Sequence, residues 1–220
     1  GHGNSVPRFH ITWGTGPGVL KPFVDRAREF RKRGLIEFRF RHRVTALERR
    51  GGRISGVRGD VLIASDVPRG EKSPQEAEKN FSIDCPCIIV TSGGIGGNFE
   101  LVRKHWPERR MGKLPKFLVS GVPHHVDGHM LAITGKAGAS LINMDRMWHY
   151  TEGLRNWDPI WPHHGIRILP GPSSMWFDAK GNRLPAPCMP GFDTISTMKA
   201  ILATGHDHSW FILNQAIIKK

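Results

Sequence analysis

The sequence predicts a mixed α+β protein, and three stretches carry this prediction. Apolar residues at helical spacing between Val19 and Phe30 predict an amphipathic helix. Phenylalanine and valine alternate with arginine over residues 38–44, which predicts a strand with one buried face. The apolar run at residues 87–90 is too short for a helix and stops at a cluster of glycines. It therefore predicts a buried strand whose end reaches a functional site.

The first half of the chain is expected to hold one helix and a meander of strands. The helix follows a Gly-Thr-Gly-Pro-Gly entry at residues 14–18 and ends at Gly34. A hairpin is expected over residues 47–57, turning at Gly51 and Gly52. The remaining expectations are, in order, a strand at residues 61–65, a loop or a short helix starting at Ser73 within residues 66–80, and a strand at residues 81–84.

The glycines at 93, 94, 96 and 97 are the feature around which the rest of the chain is interpreted. They remove every Cβ where the predicted strand stops, so the backbone can approach a flat ligand closely or adopt positive φ. A tight connection from strand to helix, without a ligand, is the alternative.

The second half is richer in proline, tryptophan and histidine, and its regular elements are shorter. Asp127 is expected to cap a helix over residues 128–137 that ends at Gly138. Further expectations are strands at 166–169, 175–177 and 210–213, a turn at 178–181, and a helix over 194–203 that ends at Gly205. We place a domain boundary near residues 98–120, which gives domains 1–98 and 99–220.

The composition is ordinary for a globular protein, with 39% apolar and 23% charged residues in 220. No window approaches the ~18 uninterrupted apolar residues of a spanning helix, and no secretory leader opens the chain. We therefore expect no membrane span and a cytoplasmic location. Three cysteines do not make a disulfide framework, so we expect reduced, structural thiols.

A net charge of +13 raises the question of an anionic partner. One hypothesis is a non-catalytic basic module that binds nucleic acid without sequence preference and releases it as salt rises. The arginines at 39, 41 and 43 lie on a predicted strand and belong to no recognisable nucleic-acid motif, so we expect no specific nucleic-acid partner. They form either a solvated face or a surface that meets another part of a larger protein.

Several motifs, taken in order, resemble the flavoprotein family of fumarate reductase and succinate dehydrogenase. These are Arg8-x-His10 with Gly14-x-Gly16, Gly34-Leu-Ile-x-Phe38, Val44-x-x-Leu47, Gly52-x-Ile54-x-Gly56, Thr91-Ser92-Gly93-Gly94 with Gly97-Asn98, Val126-Asp127-Gly128, and Trp148-His149-Tyr150-Thr151. The chain is most similar to bacterial FAD-binding dehydrogenases of the ketosteroid-dehydrogenase-like type. The resemblance covers nearly the whole chain and implies a partial FAD-binding domain with a β-meander, followed by an α+β substrate or capping domain.

The chain departs from the family pattern in two places. The Gly-x-Gly-x-x-Gly turn that holds the FAD pyrophosphate does not occur in this sequence, so the resemblance implies the middle of a longer flavoenzyme. The remainder of the FAD-binding domain is then an expected partner. The loop after Gly181-Asn182-Arg183 lacks the second arginine and the glutamate of fumarate reductases, which argues against fumarate reduction.

By the resemblance, Tyr150 and His149 are the candidate catalytic residues and face the flavin. A phenol activated by a neighbour can take the proton next to a carbonyl while a hydride passes to FAD, the expected cofactor. The candidate cofactor-binding residues are Gly16, Val44, Thr91, Ser92, Gly93, Gly94 and Asp127. The expected substrate is a small ketone, steroid-like, with a fumarate reductase type of flavoprotein as the alternative.

The histidines and the tryptophans each allow two structural interpretations. His125 and His129 are four residues apart, but no further ligand pattern completes a zinc site, and we expect no metal. Trp148, Trp157 and Trp161 are interpreted as the wall of a steroid-sized apolar pocket or as core residues.

Overall fold

A computed structural model describes residues 13–68, 71, 73–168, 175–188 and 193–215. The motif residues Arg8 and His10 lie outside these ranges. Helices and antiparallel sheets are both present, as the predicted α+β class requires. Two units are distinguished, one up to His42 and one from Arg43 onward. This division does not decide between alternative boundaries further along the chain, so the domains 1–98 and 99–220 stay predictions.

The first unit is built on helix α1, Thr15–Lys32, which begins earlier than predicted, within the glycine-rich entry, and ends just before Gly34 as predicted. Arg31 and Lys32 in its last turn complement the helix dipole, and Gly34 follows with a φ of 73°. None of its residues is buried, and Phe23 is 71% exposed. The apolar stripe that predicted the helix is thus present, and the described residues of the first unit do not cover it.

The predicted strand over residues 38–44 is wrong in its first half. Residues 36–39 are irregular, 40 and 41 form a turn, and Arg41 has a φ of 59°, which is incompatible with a strand. Strand β1 instead spans His42–Arg50. The alternation of apolar residues with arginine continues across this turn, so it does not show at which residue strand pairing begins.

A three-stranded meander opens the second unit. It consists of β1, β2 at Arg53–Leu62 and β3 at Ala77–Asp84, in the order β1-β2-β3. The predicted hairpin is confirmed, with φ values of 56° at Gly51 and 78° at Gly52. Two boundaries are corrected: the strand expected at 61–65 is the end of β2, and β3 begins at Ala77 because its register continues to Leu62. The alternative helix at Ser73 does not form over residues 73–76.

The buried strand predicted at residues 87–90 is also wrong. The segment is neither a strand nor buried, and Ile89 is 85% exposed. Its backbone makes no hydrogen bond to another described residue from Pro86 through Gly94. A strand buried on both faces needs neighbouring strands, and the described residues place none beside this segment.

The rest of the second unit is an arrangement of short elements. In order these are α2 Phe99–Lys104, α3 Glu108–Met111, α4 His129–Lys136, β4 Gly153–Arg155, β5 Gly165–Arg167, β6 Met175–Asp178, α5 Thr194–Ala203 and β7 Ser209–Ile212. The sequence predicted α4, β5, β6, α5 and β7 within a few residues and missed α2, α3 and β4. Buried apolar side chains include Val102, Met111, Ile133, Trp176, Ile201 and Leu202.

Ion pairs neutralise part of the basic surface. Arg43 contacts Asp60 at 2.8 Å, and Arg39 contacts Glu37 at 2.9 Å. Cys85, Cys87 and Cys188 are free thiols, of which Cys87 is exposed and Cys188 buried. Among the described helices, none is long and apolar enough to cross a membrane.

Candidate functional site

The segment around Tyr150 places neighbouring side chains in different environments. Trp148 is 84% exposed and Tyr150 is 40% exposed. His149 is half-buried, and Glu152 is fully buried. The two candidate catalytic residues are therefore not equally accessible. Tyr150 is open to a ligand, whereas His149 is turned towards the protein.

Glu152 and Arg167 form a buried ion pair across the hairpin of β4 and β5. The register pairs Gly153 with Arg167, which places the arginine beside the residue that precedes β4. Oε1 of Glu152 accepts from Nε of Arg167 at 2.9 Å and from Nη2 at 2.6 Å. Oε2 accepts from the Thr151 hydroxyl at 3.1 Å. Both oxygens of the desolvated carboxylate are thus satisfied, as burial of a charge requires.

The guanidinium of Arg167 also contacts Tyr150. Its Cζ lies 3.7 Å from the centre of the Tyr150 ring, a close cation–π distance. The Trp148 ring centre lies 6.0 Å from that of Tyr150. Glu152 thus fixes Arg167, and Arg167 covers one face of the tyrosine ring.

His149 occupies an enclosed position beside Trp106, with ring centres 4.9 Å apart. Its Nε2 is buried and has no hydrogen-bond partner among the residues that the structure describes. Burial lowers the pKa of the imidazole below its ordinary value, and the positive charge of Arg110 lowers it further. His149 is therefore held neutral at pH 7.

The loop after β4 carries further exposed apolar side chains, Trp157 and Ile160. Nδ1 of His164 accepts from the Ile160 N–H at 3.2 Å. Oδ1 of Asn156 accepts from the Asp158 N–H, so it is Nδ2 of this amide that faces His164 and donates to Nδ1 at 2.9 Å. An Nδ1 that accepts must be unprotonated, so this histidine carries its proton on Nε2. The neutral ring anchors the aromatic loop to the hairpin.

The glycine turn at residues 91–97 has one open end and one closed end. Gly93 has a φ of 84°, and a Cβ at Gly94 would meet nothing within 4 Å. A Cβ on Gly97 would lie 2.7 Å from the Pro123 carbonyl oxygen. The N–H of Gly97 donates to the Val126 carbonyl at 2.8 Å. The turn therefore packs tightly at Gly97 and leaves free space at Gly94.

Asn98 fastens this turn to the start of α4. Its Oδ1 accepts from the Leu101 N–H at 3.1 Å, which caps α2, and its Nδ2 donates to the Asp127 carbonyl at 3.2 Å. Asp127 is not the residue that directly precedes α4, because Gly128 does so with a φ of 79°. Oδ1 of Asp127 nevertheless accepts from the His129 N–H at 2.8 Å, so the expected capping contact exists.

The predicted cofactor-binding residues are brought together only in part. Thr91, Ser92, Gly93 and Gly94 are exposed, and a Cβ on Gly93 would lie 3.4 Å from Val126, next to the exposed Asp127. Val44 is half-buried on β1. Gly16 lies in the first turn of α1, in the other unit.

A shallow cleft of about 380 Å³ lies beside the glycine turn. Its lining is mostly apolar and includes Leu47, Ile54, Ile88, Val90 and Ala137, with Arg49 as its charged member. In the described residues, no three His, Cys, Asp or Glu side chains come together as a metal site would require.

Ser120 connects the glycine turn with the hairpin and was missed in the sequence analysis. Its side chain is buried, and its hydroxyl oxygen lies 2.9 Å from the carbonyl oxygens of both Gly96 and Val122, either of which can accept its single proton. Its N–H donates to the His163 carbonyl at 2.8 Å, and its carbonyl accepts from the Gly165 N–H at 2.9 Å. Glu152 and Arg167 were missed as well. The sequence does show an acidic residue two positions after Tyr150. Its partner could not be identified, because the pairing with Arg167 depends on the register of two strands.

The chain is similar in sequence to known flavoproteins and belongs to a family of FAD-binding domains. A family model described as an FAD binding domain matches residues 1–220. The chain is 59% identical over its full length to a KsdD-like steroid dehydrogenase of Mycobacterium tuberculosis and 56% identical to one of Mycolicibacterium smegmatis. It spans 38% of the length of the first relative and 40% of the second.

Proposed function

Because the chain belongs to the family of FAD-binding domains, we propose that it forms part of an FAD-dependent dehydrogenase. The proposed reaction oxidises a CH–CH bond next to a carbonyl group in a steroid-like ketone. The observation that carries this proposal is the position of Tyr150, which is accessible, held by Arg167, and joined through Ser120 to the glycine turn.

The glycine turn fits one side of a flavin. Its backbone from residue 91 to 94 is exposed and unpaired among the described residues, and Gly94 has open space where a side chain would otherwise stand. A flat ring can approach such a backbone closely. Thr91, Ser92, Gly93 and Gly94, with Asp127 nearby, are the residues we assign to this contact. When bound, FAD would supply a hydride acceptor.

Tyr150 is the residue we assign to proton transfer. Its hydroxyl is attached to a ring whose orientation is fixed on one face by Arg167, at 3.7 Å. General acid–base groups of this kind act when they are placed within hydrogen-bond reach of the proton they move. The neutral His149 has a buried Nε2, so we assign it to supporting the segment rather than to accepting a proton.

The exposed apolar side chains on the segment that carries Tyr150 and on the loop after β4 suit an apolar substrate. Trp148 and Trp157 are 84% and 83% exposed, and Leu154 and Ile160 lie on the same segment and its loop. Apolar surface of this kind commonly marks a ligand site or an interface. The relatives are named as steroid dehydrogenases, which agrees with a polycyclic substrate.

Turnover measurements on the full-length protein test this proposal. A set of 3-ketosteroids and simple cyclic ketones is supplied with an artificial electron acceptor, and fumarate and L-aspartate serve as comparison substrates. We expect introduction of a C=C bond next to the ketone. Activity on fumarate or L-aspartate without any activity on cyclic ketones would reject the proposal.

A further inference from the structure

Arg167 has hydrogen-bonding capacity that its two known contacts do not use. Nε and Nη2 both donate to Oε1 of Glu152. The remaining nitrogen, Nη1, has no partner among the residues that the structure describes. The side chain is 34% exposed, whereas the carboxylate that holds its other nitrogens is fully buried.

The guanidinium is also held in a fixed orientation. Glu152 binds it on one edge with a fully buried carboxylate, and the Tyr150 ring lies against its face. A donor that is already oriented stabilises a developing negative charge without a cost of reorganisation. Arginine is suited to this role because it stays charged and offers several donors in one plane.

We propose that Arg167 is an oxyanion-binding catalytic residue that takes the substrate carbonyl oxygen through Nη1, beside Tyr150. This inference rests on the proposed function and deepens it. The α C–H bond breaks, its proton passes to the Tyr150 oxygen as that oxygen gives up its own proton to solvent, and its electron pair forms an enolate whose oxygen bears the charge facing Arg167. When a hydride leaves the neighbouring carbon for the flavin, the carbonyl bond re-forms and the enolate pair becomes the new C=C bond.

Two inert probes separate this role from a purely structural one. 2-Naphthol is a flat two-ring molecule whose hydroxyl oxygen imitates the oxygen of the enolate. Naphthalene has the same two rings without the oxygen. Both are titrated, by their fluorescence, into the full-length protein with its cofactor. The variants are Arg167→Gln and the double variant Glu152→Gln with Arg167→Gln, which removes the buried charge together with its partner. Arg155→Gln is the matched control, since Arg155 is an exposed arginine on the neighbouring strand.

We expect both Arg167 variants to bind 2-naphthol about 10- to 100-fold more weakly, the usual effect of losing a hydrogen bond to a charged group. The affinity of every variant for naphthalene stays at the wild-type level. The affinity of Arg155→Gln for 2-naphthol does so as well. Unchanged 2-naphthol affinity in the double variant, with its fold verified by circular dichroism, overturns the proposal. An equal loss of affinity for 2-naphthol and for naphthalene also overturns the proposal, since Arg167 would then only shape the wall of the binding site. If the wild type binds 2-naphthol but converts no cyclic ketone, the proposed function fails while the binding role of Arg167 stands.

Discussion

The hydroxyl oxygen of Ser120 lies 2.9 Å from the carbonyl oxygen of Gly96 and equally far from that of Val122, and its single proton serves these two acceptors in turn. The backbone of the same residue pairs with His163 and Gly165. One buried side chain therefore joins the glycine turn to the hairpin that carries Arg167. Relative movement of these two parts requires breaking a hydrogen bond that water does not replace.

The first prediction concerns this connection. Ser120→Ala removes a buried hydroxyl and leaves the carbonyl that it hydrogen-bonds, that of Gly96 or of Val122, without this donor, which costs about 1–3 kcal/mol in the free energy of unfolding. Urea unfolding monitored by tryptophan fluorescence measures the change. Ser82→Ala, at an exposed position on β3, is the control and should be nearly neutral. Equal effects of the two substitutions would show that the Ser120 hydroxyl is not a structural connection.

The second prediction uses the unequal burial of the pair formed by Glu152 and Arg167. Arg167→Met leaves a fully buried carboxylate without its cation and is expected to lower the free energy of unfolding by about 3 kcal/mol. Glu152→Gln leaves a cation that is one-third exposed and that water can still solvate, so its cost is smaller. Urea unfolding of both variants shows which substitution lowers the free energy of unfolding more. The reverse order would contradict the burial that the structure assigns to Glu152.

The elements that the sequence predicted well are those whose signals are local. Helix α5 has Asp193 as its cap and Gly205 beyond its end, and the turn at Gly181 has a φ of 84°. Residues a few positions apart determine each of these features. Strand β6 and strand β7 were placed correctly because a turn and a helix end limit them.

The errors arise where structure depends on distant residues. The apolar run containing Ile89 has strand composition, but a strand forms only against a neighbour, and none is present in the part of the chain that the structure describes. The contact of Glu152 with Arg167 spans fifteen positions and follows from the register of Gly153 with Arg167. Neither register nor neighbouring strands can be obtained from spacing alone.

The third prediction is a pH dependence of stability. The pKa of His149 is lowered in the folded protein, so the unfolded chain binds a proton more readily. Unfolding therefore takes up a proton as the pH falls below the ordinary histidine value of about 6.5, and stability decreases on acidification. Above that pH the imidazole is neutral in both states and contributes no slope.

Variants at two positions separate this effect from other titrations. His149→Gln should flatten the part of the stability profile between pH 7 and pH 5 that belongs to this group. Arg110→Met removes the charge that lowers the pKa alongside burial, so the decrease should become shallower. Denaturant unfolding at a series of pH values measures both. An identical slope in wild type and His149→Gln would exclude His149 as the source.

The fourth prediction tests Tyr150 in the full-length enzyme. Tyr150→Phe keeps the ring that contacts Arg167 and removes the hydroxyl, so bound flavin should be unchanged. Turnover should fall by about 10²–10⁴-fold, as is typical when a general acid–base group is lost. Steady-state rates and flavin absorbance are measured on the same preparation. Wild-type turnover in the variant would assign Tyr150 a structural role.

The last prediction concerns flavin binding by these 220 residues alone. Tight binding of FAD in such folds relies on a pyrophosphate held at a helix N-terminus, where free N–H groups and the dipole meet its charge. The Gly-x-Gly-x-x-Gly turn that provides this does not occur in the sequence.

What the chain offers is an exposed backbone at residues 91–94 and a shallow cleft lined in part by Ile88 and Val90, and we propose that these meet a flavin from one side only. Ordering a large cofactor costs several kcal/mol, and such contacts leave much of its surface in water. We therefore expect the purified chain to lack stoichiometric FAD, measured as flavin absorbance per chain, with the full-length protein as the positive control. One equivalent of flavin bound to the 220-residue chain would show that the pyrophosphate site is not needed for tight binding.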